Sequence, residues 1–178
     1  MIQQEKVSAK LSLKERDRRY ALIRAGLKEK GVDCVIVNGS NLFYLTNGVP
    51  GELYGILTVD EVPPCVIVNR RHLVDISTQV LIEAQEWVSD FRPGTDGSAA
   101  VERIRELHLD KGTLAVAGGL SYRFYAQLQS ALSSAKIVDV SDIFTNVRTV
   151  KSEEEVALID KANRVRSEER RVGKECRL

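Results

Sequence analysis

Apolar positions along the chain fall into two alternating kinds of stretch, short continuous runs and longer stretches in which they recur every three or four residues. Leu13, Tyr20, Ile23 and Leu27 share one side of a helix that starts after Ser12. Ser12 and Glu15 have capping-box spacing: the hydroxyl accepts from the third helical N–H while the carboxylate reaches back to the N–H of the cap. Gly31 is placed to end this helix as a left-handed cap. "DCVIVNG" follows as a buried strand, because its β-branched residues are continuous rather than alternating. "SNLFYLTNG" reads as a short helical or turn segment closed by Asn47-Gly48, and "LYGILTVDEVPPCVIVNRR" as two strands joined by a turn around Glu61 to Pro64, an antiparallel hairpin.

"QEWVSDF" is a weaker strand and "RPGTDG" a loop. "SAAVERIRELHLDKG" places Val101, Ile104 and Leu107 at helical spacing before a stop at Gly112. "TLAVAGG" predicts a buried strand, "SYRFYAQLQSALSS" a helix and "KIVDVSD" a last strand. "RTVKSEEEVALIDKANRV" then opens a new helix, in which Ser152 and Glu155 form a second capping box and Val156, Ile159, Ala162 and Val165 give an apolar side that needs a partner. The hairpin is antiparallel, whereas the helical crossovers favour parallel neighbours. The pattern therefore predicts an α/β fold, a mixed sheet flanked by helices.

At 178 residues the chain is long enough for one ordinary domain and not comfortably for two. Its 43% apolar and 29% charged residues are those of a globular protein. A formal charge of +1 is too small to suggest nucleic-acid binding, and the segment from Arg166 to Leu178 supplies +2 by itself. No apolar run is long enough to suggest a membrane span, and the polar N-terminus resembles no signal peptide, so a cytoplasmic location is expected. Cys34, Cys65 and Cys176 lack CxxC spacing, and the first two lie in strand-like runs where burial as small hydrophobes is expected.

The residues offer little chemistry. His72 follows a strand and His108 lies at a helix C-terminus, and neither belongs to an HxxxH or HExxH pair. "NGSN" and "AGGLS" are glycine turns without the spacing of a dinucleotide or P-loop motif. Asp60, Asp75, Asp90, Asp139 and Asp142 sit near element ends, where carboxylates cap and turn the chain. Ser40 and Ser121 have no histidine at a recognisable distance. No metal, cofactor or catalytic residue is expected in this chain.

Two segments nevertheless resemble one family. Arg148, Lys151, Ser152, Glu155, Ile159 and Ala162 resemble the R-x-x-K-S-x-x-E-x-x-x-I-x-x-A segment of the creatinase and aminopeptidase P family. Upstream, Asn41, Tyr44, Leu45, Thr46 and Gly48 are similar to its N-x-x-Y-L-T-x-G turn, so the resemblance spans roughly residues 16–165. It implies a creatinase-like, ribonuclease-H-like N-terminal domain over residues 1–147 and, over 148–165, a linker with the first helix of a following pita-bread metallohydrolase domain. That following domain would carry the metal ligands (two aspartates, one histidine and two glutamates) for Mn²⁺, Co²⁺ or Zn²⁺.

The resemblance further implies a homodimer when full length, a small peptide or amide substrate, and a domain that assists dimerisation and access to the neighbouring active site. Arg70, Arg71 and Tyr44 are then the candidates for substrate access or an interface, arginine being suited to a bidentate grip on a substrate carboxylate. Solvated surface charge is the plainer reading of both arginines, and a non-catalytic peptide- or protein-binding module is the alternative for the whole domain. Arg166 to Cys176, "RSEERRVGKEC", resembles the codon-by-codon translation of a common sequencing adaptor. Residues 166–178 are therefore expected to be a non-native, unpacked tail, with Gly173 interrupting any helical extension.

Overall fold

A computed structural model describes residues 11–49 and 51–175, the side chains of residue 78 and of 167–175 excepted. Helix α1 (Leu13–Glu29) leads into β1 (Cys34–Val37), α2 (Gly39–Thr46), and the hairpin of β2 (Glu52–Thr58) and β3 (Cys65–Asn69). Short helices α3 (Arg70–Leu73) and α4 (Ile76–Glu83) precede β4 (Asp90–Gly94). There follow α5 (Ser98–Glu106), β5 (Thr113–Ala117), α6 (Tyr122–Ala131), β6 (Lys136–Asp139), α7 (Ser141–Thr149) and α8 (Glu153–Glu175).

The six strands form one mixed sheet in the order β4-β3-β2-β1-β5-β6. Pairs β1–β2 and β2–β3 are antiparallel, and β1–β5, β5–β6 and β3–β4 are parallel. Strand side chains alternate between the faces, so a strand apolar at every position must be covered twice. Val35 and Val37 of β1 pack with Tyr20, Ile23 and Leu27 of α1, Leu42 and Leu45 of α2, and Ile143 and Phe144 of α7. Cys34 and Ile36 face the other way, towards Ala100, Val101 and Ile104 of α5 and Phe124 and Leu128 of α6. A third cluster joins Leu11, Val49, Val66, Val68, Trp87 and Val88 beyond the first, with Leu158 of α8 packed on it.

Left-handed backbone at Gly31 (φ 63°) and at Asn47 and Gly48 (φ 58° and 84°) matches the stops read from sequence. Other expectations need correction. The weak strand takes only the last two residues of "QEWVSDF", because Trp87 and Val88 are buried as core plugs; it starts at Asp90 and runs on through the "RPG" read as loop, at an edge where Pro93 needs no ladder donor. Helix α5 ends at Glu106 rather than near Gly112, with His108 itself left-handed (φ 58°). Leu13, expected on the buried side, is 42% exposed. Helices α3, α4 and α7 were not expected, although α7 supplies Phe144, one of the largest fully buried side chains. Helix α8 continues through Gly173 to Glu175. A helical glycine costs only about 1 kcal/mol relative to alanine, and the Arg, Glu and Lys around it are good helix formers.

Candidate functional site

The four linker residues singled out by the sequence converge where α7 ends and α8 begins, and each has a distinct bond. Arg148, in the last turn of α7, donates from Nη1 to Ser40 Oγ (3.0 Å) and Asn41 Oδ1 (3.1 Å), which ties α7 to the start of α2. Lys151 turns its ammonium back onto the carbonyls of Arg148 and Thr149, acceptors left open by the end of α7. The Ser152 hydroxyl accepts from the Glu155 N–H at 3.1 Å, and the Glu155 carboxylate accepts from the Ser152 N–H at 2.9 Å, a complete capping box.

Glu155 also reaches α1, accepting from Arg19 Nη2 at 2.8 Å and from Arg18 Nη2 at 3.0 Å. Arg19 is the centre of this junction, with only 4% of its side chain exposed. Its guanidinium donates to Glu15 Oε1 (2.8 Å) and to the Tyr44 carbonyl (2.7 Å), and lies 3.8 Å from the centroid of the Tyr44 ring and 5.1 Å from that of Trp87. Arg18 grips both Glu15 oxygens at 2.8 Å. Burial alone would raise the Glu15 carboxyl, but the hydrogen bonds from Arg18 and Arg19, with a smaller one from Ser152, outweigh it and hold the group at about 2. Burial pushes the Tyr44 phenol up.

Tyr44, Arg148, Lys151 and Glu155, with Thr145 and Thr149, line a cavity of about 400 Å³ at this junction. Arg70 and Arg71 are not brought to it. Both are exposed on the short helix α3, whose first turn is capped by the Asn69 side chain accepting from the Arg71 N–H at 3.1 Å. Among the described residues neither arginine forms an ion pair. Sequence reading missed Glu15, Arg18, Arg19 and Trp87 as members of the junction, and also Glu154, whose carboxylate accepts from the Ser12 N–H and hydroxyl. Part of the signal was present: Glu15 precedes Arg18 and Arg19 by three and four residues, the helical ion-pair spacing. That both arginines would also reach residue 155 is a tertiary fact with no local signature.

Glu15 and Glu155 are held by arginines, and away from the junction the buried Cys34 and Cys65 thiols are pushed up to about 12 by burial, which keeps them in the unreactive thiol form. Cys176 lies outside the described residues. His72 and His108 are exposed, and among the described residues no cluster of three or more His, Cys, Asp or Glu side chains could hold a metal ion. The donor set here does not fit a divalent metal, which the resemblance implies for the following domain and not for this one. Among the described residues no helix is long and apolar enough to cross a membrane.

Residues 19–150 match the family described as the Creatinase/Prolidase N-terminal domain. Among solved structures, the Xaa-Pro aminopeptidase (aminopeptidase P) from Streptococcus thermophilus is similar at 18% identity and a TM-score of 0.59, over 75% of this chain and 98% of that one. The prolidase from Pyrococcus horikoshii matches at 17% identity and a TM-score of 0.61, over 82% of this chain but 39% of its own. The N-terminal domain of the cytoplasmic peptidase PepQ from Mycobacterium tuberculosis matches at 15% identity and a TM-score of 0.59, over 73% of this chain and 98% of that one. These likenesses establish the fold, a mixed six-stranded sheet flanked by helices. No curated protein sequence gave a match.

Proposed function

With residues 19–150 matched, this chain belongs to the creatinase/prolidase N-terminal domain family, and we propose that it serves as the non-catalytic N-terminal domain of a cytoplasmic, metal-dependent Xaa-Pro peptidase or related C–N hydrolase. The supporting observation is the junction itself. Glu155 fastens the base of α8 to Arg18 and Arg19 of α1, Ser152 caps that base, and Lys151 and Arg148 hold the end of α7 beside it, while Val156, Ile159 and Val165 remain about half exposed along α8. A helix held firmly at its base and apolar along its free side is suited to carry a further packed unit.

The domain's role in this reading is positional: it assists dimerisation and shapes access to the neighbouring active site. The hydrolytic metal, Mn²⁺, Co²⁺ or Zn²⁺, belongs to the part of a longer parent beyond Val165, and residues 166–178 are foreign to that parent. Peptides or other small amides with a C–N bond to be cleaved are the substrate class.

Recovery of the uninterrupted gene tests this. A continuation bearing two aspartates, a histidine and two glutamates as metal ligands, and metal-dependent cleavage of an Xaa-Pro dipeptide by the whole protein, are expected. The present chain alone should give no cleavage. A continuation without those ligands would favour a peptide- or protein-binding module instead, and turnover by this chain with stoichiometric metal retained after dialysis would overturn the proposal.

A further inference from the structure

We propose that the backbone N–H of Ser12 is shared between two carboxylates, and that the choice between them couples the start of α1 to the docking of α8. Ser12-x-x-Glu15 has the spacing of a local capping box, and half of it is formed: the Ser12 hydroxyl accepts from the Glu15 N–H at 3.2 Å. The other half is taken by a residue 142 positions away, since the Ser12 N–H donates to Glu154 Oε1 and its hydroxyl donates to Glu154 Oε2 at 2.7 Å. Glu15 has turned along α1 instead, to Arg18 and Arg19. At α8 the same motif, Ser152-x-x-Glu155, is complete within itself.

The two arrangements distribute the same carboxylates differently. With α8 docked, Glu154 serves Ser12, and Glu15 and Glu155 together serve the two guanidiniums. With α8 away, Glu154 and Glu155 leave together, because they are adjacent on one helical turn. Glu15 then stands three residues from an open N–H, at the spacing for which the capping box exists. The α1 cap is thus a two-position element biased by α8, and any load on the chain beyond α8 is felt at Ser12.

The test uses amide-proton NMR on the full chain. In the Glu154→Ala/Glu155→Ala variant, hydrogen exchange at Val156, whose N–H donates to the Ser152 carbonyl, should quicken by about tenfold or more as the first turn of α8 comes free. The Ser12 amide should keep the downfield shift of a carboxylate-bonded N–H, and lose it once Glu15→Gln is added. In Glu15→Gln alone the Ser12 amide should be unchanged. Loss of the Ser12 shift in the double variant, with Glu15 intact, would refute the exchange, and unaltered exchange at Val156 would refute the coupling. Both readings come from the double variant, so the proposal remains testable if the triple variant does not fold.

Discussion

The Glu155 carboxylate is divided between two helices, Oε1 accepting from Arg19 Nη2 at 2.8 Å and Oε2 from the Ser152 backbone N–H at 2.9 Å. Arg19 depends on it because a buried guanidinium must be paired on every arm. Arg19→Met should therefore destabilise the domain by about 3–5 kcal/mol, since it leaves Glu15 buried with a partner gone. Glu155→Gln should cost less, about 1–3 kcal/mol, because an amide oxygen can still accept. Urea unfolding of the single and double variants gives the coupling energy, and additivity would show that the pair does not act as a unit.

The Glu15 carboxyl sits at about 2, below its ordinary value of 4.5. A carboxyl lowered by folding contributes stability above the ordinary value and loses it as pH falls towards the folded one. Glu15 should thus supply on the order of 3 kcal/mol at neutral pH that disappears between pH 4.5 and 2. Asp96, Glu106 and Asp142 are also lowered and act in the same direction. The informative measurement is therefore the difference between wild type and Glu15→Gln across this window. Parallel stability curves would show that Glu15 is not held by its arginines.

Local signals identified the parts of this fold that local physics decides. Ser152 completes its capping box, Ser12 forms the hydroxyl half of its own, Gly31 stops α1, and the continuous apolar run in β1 is covered on both faces. Where tertiary packing outbid local preference, sequence reading failed. Trp87 and Val88 look like strand residues but plug a core cluster, and α7 packs Ile143, Phe144 and Val147 at a helical spacing that sequence reading passed over, between the last strand and the stronger capping signal at Ser152. At the junction, the four linker residues were legible as a motif, whereas Arg18 and Arg19 gave no sign that their partner lay on α8.

Two glycines with positive φ should respond differently to a methyl group. Gly118 (φ 114°) follows β5, and a Cβ there would collide with Asn38 Oδ1 and press on the Asn38 carbonyl at 3.1 Å. Gly31 (φ 63°) has open space where its Cβ would stand. Gly118→Ala should cost about 2–4 kcal/mol from strain and clash together, and Gly31→Ala about 1 kcal/mol from backbone strain alone. Equal losses of stability in thermal unfolding would contradict this reading of the contact between the loops that follow β1 and β5.

Arg70 and Arg71 extend from α3 without an ion pair among the described residues, so their removal should leave folding within about 0.5 kcal/mol. If one of them grips a substrate carboxylate in the proposed parent enzyme, Arg70→Ala or Arg71→Ala should raise KM several-fold while kcat holds, as expected for lost ground-state binding. Unchanged kinetics in both variants would return the pair to solvated surface charge.

Helix α8 reaches Glu175, yet its outer half should add little stability. Leu158 is the residue of α8 that packs on a core cluster, and from Ala162 to Arg166 every side chain is exposed. A helix without a surface to pack on depends on propensity and cooperativity alone, which are marginal in water over so short a length. A chain ending at Val165 should therefore unfold within about 1 kcal/mol of the whole one. Cutting back to Glu154 should cost more, because it removes Glu155 from Arg18 and Arg19 as well as Leu158 from its cluster. Chemical denaturation of the three chains decides the matter, and a loss well above 1 kcal/mol on removing residues 166–178 would mark that segment as native structure rather than a foreign tail.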